Sequence, residues 1–204
     1  MARSILAAEE AAQLSSAHLR LTSSPTDLPE REFVVSLEIC EKQARFFQKF
    51  GIPGILGCID CTQIAIIRPY QHEERYFRRK HCHSLNVQMI CDANMQILSV
   101  DASHGGASHD SFIWNNHPIK AHLETLNDCT WLLGDSGYPL TPVVDASPGT
   151  PEGYYTDLHV RARKTIERTI GLLKARFRCL LAHRVLYYKP VTAASIVNAC
   201  VILH

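Results

Sequence analysis

Four stretches of the chain have the apolar spacing of β-strands. Residues 55–67 are apolar at both odd and even positions, which is typical of a strand covered on both faces. Residues 85–92 alternate between apolar and polar, and residues 96–102 follow after a tight connection. We therefore predict that the second and third strands form a hairpin. The apolar run 130–135 predicts a fourth strand.

Helical spacing occupies the stretches around these strands. A helix with acidic residues in its first turn is predicted from Pro29 to about Phe50. Ser108 or Asp110 is a suitable cap for a helix at 111–115. The other predicted helices are at 6–19, at 118–126, from Thr156 or Asp157 to a break at 187–190, and at 191–204.

The order of these elements is strand, strand, strand, helix, strand, helix. This is the order of the ribonuclease-H-like fold, an α/β architecture in which a mixed sheet is flanked by helices. Order alone does not single out this fold, because many α/β domains share fragments of it. We predict a short helical N-terminal region at 1–52 and one ribonuclease-H-like domain at 53–204.

Length and composition are those of an ordinary soluble domain. The 204 residues suit one sizeable core or two small domains at most. No apolar run reaches the roughly 18 residues of a membrane-spanning helix, and acids follow the first residues too early for a signal peptide. We expect an intracellular protein without membrane association, in which the eight cysteines are reduced.

Cysteine spacing leaves one zinc alternative open. Cys58 and Cys61 form a CxxC pair, and Cys82 lies between two histidines. A zinc site from Cys58, Cys61, Cys82 and His83 is the weaker hypothesis, because no second CxxC pair exists.

Basic residues are concentrated toward the C-terminus. Residues 161–189 contain nine Lys and Arg and a single acid, Glu167, although the chain as a whole is balanced. Solvated helix faces are one interpretation, but so one-sided a segment more often contacts a polyanion. The candidate nucleic-acid-binding residues are Arg78, Arg79, Lys80, Arg163, Lys164, Arg168, Lys174 and Arg176.

Four acids lie where the predicted architecture would gather them. Asp60 lies inside the first strand, where an unpaired carboxylate is costly to bury. Asp110 begins the helix after the third strand, and Asp135 ends the fourth strand. Glu167 lies on the long helix, at the edge of its apolar face. Mg²⁺ and Mn²⁺ prefer carboxylate oxygen, and two such ions about 4 Å apart can stabilise both oxygens of a phosphodiester displacement.

Each of these acids also has a purely structural interpretation. Asp110 is a suitable N-cap, and Asp135 is a suitable turn residue. Glu167 is suited to a salt bridge with Arg163, four residues earlier. Asp60 is the hardest of the four to explain in this way. Strand-end or loop roles suffice for the competing acids, Asp92, Asp101 and Asp128.

Six motifs occur in order between the first predicted strand and the last helix. They are Gly57-Cys58-Ile59-Asp60-Cys61-Thr62, Arg79-Lys80, His83-Ser84-Leu85-Asn86-Val87-Gln88, Ser108-His109-Asp110-Ser111, Leu133-Gly134-Asp135-Ser136-Gly137-Tyr138-Pro139-Leu140 and the stretch from Glu167 through Leu180. Together they resemble the Harbinger transposase-derived nuclease family, which has a DDE superfamily endonuclease domain. The resemblance covers roughly residues 53–204.

The resemblance implies a ribonuclease-H-like fold and a divalent-metal nuclease that hydrolyses DNA phosphodiester bonds with Mg²⁺ or Mn²⁺. It implies that Asp60, Asp110, Asp135 and Glu167 are the metal-site positions, and that Asp60, Asp135 and Glu167 are catalytic. It also implies a location in nucleus and cytoplasm, and DNA binding that relies on a separate Myb-like protein.

Four local features depart from the family pattern. Gln63 stands where the family usually has His, and Arg78 stands where it usually has Asn. Residues 104–107 replace a usual Pro-Gly-Ser, and the loop after Leu140 is a few residues shorter. The alternative is therefore an inactive or domesticated transposase fold that binds DNA or a Myb-like partner without cutting.

Overall fold

The computed structural model describes residues 39–78, 81–124, 130–138 and 151–204. The helix predicted at 6–19, the beginning of the helix predicted from Pro29, and Asp128 lie outside these ranges. The candidate basic residues Arg79 and Lys80 lie outside them as well.

The order of helices and strands along the described chain is close to the order that the sequence predicts. The helices are α1 (Ile39–Phe50), α2 (Asp110–Asn116), α3 (Pro118–Glu124), α4 (Pro151–Arg176) and α5 (Pro190–Ile202). The strands are β1 (Ile55–Ala65), β2 (Phe77–Arg78), β3 (Cys82–Cys91), β4 (Ile97–Gly105) and β5 (Trp131–Leu133). All four predicted strands are confirmed, and the two-residue β2 is an addition to them.

Strand β1 is central in a mixed sheet. It pairs antiparallel with β3 and parallel with β5. Strand β3 also pairs antiparallel with β4, which confirms the predicted hairpin, and its first two residues pair with β2. The main strand order is therefore β4-β3-β1-β5. This mixed sheet with flanking helices confirms the predicted α/β fold class.

Both faces of the sheet are covered. Helices α1, α4 and α5 cover one face, through a core that includes Phe46, Ile64, Ile166, Leu173 and Val197. A second, smaller core covers the other face and consists of Ile59, Ile90, Leu98, Trp114, Ile119 and Tyr138. Because side chains alternate along a strand, neighbouring residues of β1 contribute to opposite cores. This explains why β1 is apolar at both parities.

Helix α1 contacts the turn between β3 and β4 through a buried ion pair. Phe46 is fully buried in the larger core. Lys42 Nζ lies 3.6 Å from Asp92 Oδ2, and both side chains are buried. Asp92 Oδ1 accepts backbone N–H bonds from Asn94 at 2.8 Å and Gln96 at 2.9 Å. Asp92 therefore has the strand-end role that the sequence suggests. The division of the chain at residue 52 stays a prediction.

The loop predicted after residue 102 begins three residues later than expected. Strand β4 continues to Gly105, which pairs with Leu85. A Cβ on Gly105 would lie 2.1 Å from the carbonyl oxygen of Arg75, so only glycine fits this close approach. The predicted side-chain cap of α2 is also wrong. His109 occupies the cap position and makes no capping hydrogen bond.

The long helix α4 has different ends from those predicted. It begins at Pro151, upstream of Thr156 and Asp157, because proline is well tolerated in the first turn of a helix. It ends at Arg176, since Phe177 has the non-helical angles φ −106° and ψ 84°. Helix α5 confirms the last predicted helix. None of the helices in the described ranges is long and apolar enough to cross a membrane.

Candidate active site

Asp60 lies in the middle of β1 and faces α4. On one side of it in the sequence, the Cys58 thiol donates to the carbonyl oxygen of Ala162 at 3.3 Å. On the other side, Thr62 Oγ1 accepts a bond from Lys174 Nζ at 2.8 Å. Ala162 and Lys174 both belong to α4. Because alternate strand residues share a face, the side chain of Asp60 faces the same helix.

The Asp60 carboxyl group is electrostatically perturbed. Burial raises its pKa from 3.8 to about 6, and the negative charges of Asp135 and Asp110 act in the same direction. The N–H of Cys61, which donates to Asp60 Oδ1 at 2.8 Å, and the charge of Arg163 partly oppose this rise. Asp110, Asp135 and Arg163 are therefore all close enough to influence Asp60.

Asp135 is brought beside Asp60 by the parallel pairing of β1 and β5. In that register, Cys58 lies opposite Leu133. Asp60 and Asp135 each follow two residues later, so the two acids come next to each other where the strands run in the same direction. Asp135 Oδ1 accepts the N–H of Gly137 at 2.9 Å, which fixes the carboxylate within its turn.

Asp110 is the first residue of α2 and approaches the same turn. Its Oδ1 accepts a bond from Asn86 Nδ2 at 2.9 Å. A Cβ on Gly137 would lie 3.0 Å from Asp135 Oδ1 and 3.6 Å from Asp110 Oδ2. The two carboxylate oxygens are therefore no farther apart than the sum of these distances. Glycine at 137 leaves the space between the two aspartates open.

These three aspartates are chemically suited to a divalent cation. Carboxylate oxygens are the ligands that Mg²⁺ and Mn²⁺ prefer, and a cation would offset the repulsion that adds to the effect of burial on the pKa of Asp60. Within the described ranges, however, no three His, Cys, Asp or Glu side chains are grouped closely enough to hold an ion as they stand. The aspartates therefore approach one another without forming a closed ligand set.

Glu167 is held in an ion pair. Arg163 Nη2 lies 2.7 Å from Glu167 Oε1, and 47% of the Glu167 side chain is exposed. This is the i,i+4 salt bridge that the structural interpretation of Glu167 predicts. Arg163 also influences Asp60, so it links Glu167 electrostatically to that aspartate. The metal-ligand role of Glu167 stays a prediction.

The predicted basic residues have different environments. Lys164 and Arg168 are exposed on α4. Arg163 is engaged with Glu167, and Arg176 donates to the backbone oxygen of His204. Arg78 lies partly exposed in β2. Arg176 is exposed as well, but because it bonds His204, we expect Lys164 and Arg168 to be the more available to a polyanion.

Lys174 is partly buried and contacts β1. Its ammonium group donates to Thr62 Oγ1 at 2.8 Å and to the carbonyl oxygen of Gln63 at 3.2 Å. Burial lowers its pKa, and the nearby charge of Arg78 adds to this effect. Lys174 thus fixes α4 against the part of β1 that follows Asp60.

The zinc hypothesis is wrong for Cys58 and Cys61. The Cys58 thiol points toward α4, whereas Cys61 Sγ lies 3.2 Å from the Tyr138 hydroxyl on the other side of the sheet. Residues three apart on a strand point to opposite faces, so these two thiols cannot share an ion. His83 Nε2 instead lies 2.8 Å from Glu73 Oε1.

Sequence analysis assigned no site role to two residues of β3, of which one contacts an aspartate and the other contacts the turn after Asp135. Asn86 binds Asp110, and Gln88 Nε2 donates to the Tyr138 hydroxyl at 3.2 Å. The available signal was the polar series at alternate positions, Ser84, Asn86 and Gln88. That pattern normally marks a solvent-facing strand face, but all three residues are buried here.

Together, the fold and the acids define a class of protein. An acid in the central strand, a second acid after the neighbouring parallel strand and a third at a helix start approach one another beside the end of β5 in a mixed sheet. This is a nuclease-like domain of the ribonuclease-H-like class. The chain belongs to the DDE superfamily endonuclease family, whose sequence profile matches residues 59–204. The resemblance to Harbinger transposase-derived nucleases is thereby confirmed.

Several vertebrate and plant proteins are similar to this chain. A Xenopus laevis protein named "Putative nuclease HARBI1" is 35% identical over 165 residues, which cover 78% of this chain and 48% of that protein. The Homo sapiens protein of the same name is 34% identical over 167 residues, 78% of this chain and 47% of that protein. The Arabidopsis thaliana "Protein ALP1-like" is 24% identical over 161 residues, 69% of this chain and 40% of that protein. The chain thus spans about half the length of the curated relatives it matches. No solved structure matches it significantly.

Proposed function

We propose that this domain is a metal-dependent endonuclease that hydrolyses DNA phosphodiester bonds. The observation that carries the proposal is the approach of Asp110 and Asp135 to Asp60: burial raises the pKa of Asp60 to about 6, and the negative charges of these two aspartates add to the rise. Three acids that approach one another around a partly buried carboxylate are costly unless a cation offsets their repulsion. Asp60, Asp110 and Asp135 would hold Mg²⁺ or Mn²⁺, with Glu167 as the fourth ligand.

The bound ions would polarise the scissile phosphate and activate a water molecule. The role of the protein is to place its carboxylates around that phosphate. One oxygen of each aspartate already accepts an N–H hydrogen bond. The donor is Cys61 for Asp60, Asn86 for Asp110 and Gly137 for Asp135. Glu167 would join them through the oxygen that does not bond Arg163, or by releasing Arg163, whose guanidinium would then be free to contact a phosphate.

The basic residues beside the acids support DNA as the polyanion. Lys164 and Arg168 are exposed on α4 and flank Glu167 in the sequence. Contacts of this kind are made to phosphates and carry little sequence information. Arg78, which lies near enough to Lys174 to lower its pKa, would extend the basic surface. Replacing Lys164 and Arg168 should weaken DNA binding and reduce its salt dependence.

A second candidate function is DNA binding without cleavage. The observation that favours it is the Arg163–Glu167 pair, at 2.7 Å, which engages one carboxylate oxygen of the fourth proposed ligand. Gln63, which stands where the family usually has His, also favours binding without cleavage. This function predicts salt-sensitive DNA binding that does not need a metal ion and produces no cleavage.

Family resemblance alone supports the proposals on partner and location. We propose that a separate Myb-like protein supplies sequence-specific DNA binding and that the protein acts in the nucleus and also occurs in the cytoplasm. Co-purification with a Myb-like protein from nuclear extracts would support this partner. A signal confined to the cytoplasm for a fluorescent fusion would contradict the location.

Plasmid cleavage tests the nuclease. Supercoiled DNA is incubated with Mg²⁺ or Mn²⁺ and the wild type, Asp60→Ala, Glu167→Ala or, as an exposed acidic control on α3, Glu124→Ala. Asp60→Ala and Glu167→Ala should lose activity by about 100-fold or more, because even residues that only orient metal ligands cost about 10- to 100-fold. Equal cleavage by all four proteins would refute the proposal. DNA binding by the wild type without cleavage would support the second function.

A further inference from the structure

A row of buried polar side chains lies beneath the candidate metal ligands. Ser84, Asn86 and Gln88 occupy alternate positions of β3 and therefore share one face. They are 1%, 2% and 0% exposed, respectively. On the neighbouring strand β1, Gln63 lies opposite Asn86 and Cys61 lies opposite Gln88. An apolar core would be expected at such positions, so this polar row needs an explanation.

Asn86 orients Asp110. Its single amide nitrogen donates both to Asp110 Oδ1, at 2.9 Å, and to the carbonyl oxygen of Ser108, at 3.0 Å. The first bond fixes one carboxylate oxygen, while Oδ2 is the oxygen that approaches the space beside Gly137. The second bond fixes the loop that precedes α2. Asn86 therefore determines both the position of Asp110 and the direction in which its carboxylate faces.

Gln88 acts on Asp135 through Tyr138. Gln88 Nε2 donates to the Tyr138 hydroxyl at 3.2 Å, and Cys61 Sγ lies 3.2 Å from the same hydroxyl. The Tyr138 N–H donates to the carbonyl oxygen of Asp135 at 3.1 Å, which closes the turn. A Cβ on Gly134 would lie 2.8 Å from the Tyr138 ring, so the ring packs directly on the chain before Asp135.

The burial of the Asn86 and Gln88 side chains destabilises the fold in a way that packing alone does not explain. In the part of the chain that the structure describes, Asn86 Oδ1 and Gln88 Oε1 are buried and have no hydrogen-bond partner. Each such orphaned acceptor costs about 1–3 kcal/mol, and apolar side chains of the same shape would avoid that cost. The benefit therefore has to lie in what the two amide nitrogens hold in place.

We propose that Asn86 and Gln88 are positioning residues for the metal site, Asn86 acting directly on Asp110 and Gln88 acting on Asp135 through Tyr138. The inference rests on the proposed function, since it assigns these residues a role toward ligands of a divalent cation. Residues that orient metal ligands by hydrogen bonding typically contribute about 10- to 100-fold to metal affinity or activity. Asn86 and Gln88 would thus influence metal affinity without contacting the metal.

Manganese affinity tests this assignment directly. The full chain is titrated with Mn²⁺, and free Mn²⁺ is followed by electron paramagnetic resonance, so the measurement does not depend on cleavage. Asn86→Leu replaces the amide by an apolar group of similar size, and Tyr138→Phe removes only the hydroxyl. Ser84→Ala is the matched control, because Ser84 lies in the same buried row but bonds Gln63 Oε1 instead of a carboxylate.

We expect Asn86→Leu and Tyr138→Phe each to weaken Mn²⁺ binding by about tenfold, and Ser84→Ala to bind as the wild type does. In an Asp110→Asn background, Asn86→Leu should have little further effect, because the residue acts through Asp110. Wild-type affinity in folded Asn86→Leu and Tyr138→Phe, checked by circular dichroism, would overturn the positioning role and leave the nuclease proposal standing. Failure of the wild type itself to bind Mn²⁺ would overturn both.

Discussion

Arg163 Nη2 contacts Glu167 Oε1 at 2.7 Å, one helical turn away on α4, while its charge also stabilises the ionised form of Asp60. A single guanidinium group therefore interacts with two of the four candidate metal ligands. If Glu167 binds a cation, Arg163 competes with that cation. If Glu167 is only structural, the pair contributes a few tenths of a kcal/mol to helix stability.

Replacing Arg163 distinguishes these two roles. Arg163→Gln should raise Mn²⁺ affinity several-fold, because it removes a positive charge and releases Glu167. The gain should shrink in a Glu167→Gln background, since the released ligand is then missing. Titrations at pH 8 keep Asp60 ionised, because that pH is well above its raised pKa of about 6. Arg161→Gln, exposed on the same helix, is the control. An undiminished gain in the Glu167→Gln background would show that Glu167 is not a ligand.

The buried Lys42–Asp92 pair should be important for stability. Lys42→Met leaves the Asp92 carboxylate buried without its cation, and removing one partner of a buried pair costs about 3–5 kcal/mol. Because two backbone N–H groups also hold Asp92 Oδ1, we expect a loss near the lower end of that range. The free energy of unfolding from urea titration is the measurement.

An exposed pair on the same helix provides the comparison for Lys42. Arg45 Nη2 lies 3.4 Å from Glu41 Oε2 in an i,i+4 pair on α1. Arg45→Ala should lower the free energy of unfolding by less than about 1 kcal/mol, because exposed pairs are well solvated. Similar losses for Lys42→Met and Arg45→Ala would contradict the structural role of the buried pair.

Asp101 predicts a defined pH dependence of stability. Burial alone would raise its pKa, but bonds from His104 and Ser103 outweigh burial and lower the pKa from 3.8 to about 2. A carboxylate with a depressed pKa stabilises the fold fully above its unfolded pKa and loses that contribution as the pH falls through its folded pKa. Asp101→Asn should therefore cost about 2 kcal/mol at pH 7 and clearly less at pH 3. Urea unfolding of both proteins at these two pH values is the test, and an equal difference at both would contradict it.

Two glycines should respond in opposite directions to alanine. Gly105→Ala places a Cβ against the Arg75 carbonyl oxygen, at 2.1 Å, and should destabilise the protein by about 3 kcal/mol because backbone must move. Gly171 lies inside α4, and a Cβ there would have no neighbour within 4 Å. Gly171→Ala should stabilise the protein by up to about 1 kcal/mol, the helix-propensity difference. Melting temperatures of the two variants provide the comparison.

The central strand and its acid were predictable because their signals are local. A carboxylate within a run that is apolar at odd and even positions stands out in the sequence alone. The structure has Asp60 inside β1, as that pattern predicts. The hairpin of β3 and β4 follows in the same way from alternation and a tight connection. The pairing of β1 with β5, which brings Asp135 to Asp60, depends instead on contact across more than 70 residues.

The remaining features depend on contacts that no local pattern reports. Asn86 and Gln88 alternate with apolar residues as solvent-facing residues do, and only the packing of α2 and the turn around Tyr138 buries them. Lys174 looks like one more surface cation in a basic helix, yet it reaches Thr62 across the sheet–helix interface. The start of α4 at Pro151 was hidden because prolines are frequent just before it.

The attachment of α1 has a practical consequence for anyone who expresses this protein in pieces. The family profile begins at residue 59, inside β1, so a fragment cut to that boundary would lack the first residues of the central strand. A fragment that starts at residue 53 keeps the strand but loses Phe46 from the larger core and Lys42 from Asp92. Fragments intended for crystallisation or for metal titration should therefore begin upstream of Ile39.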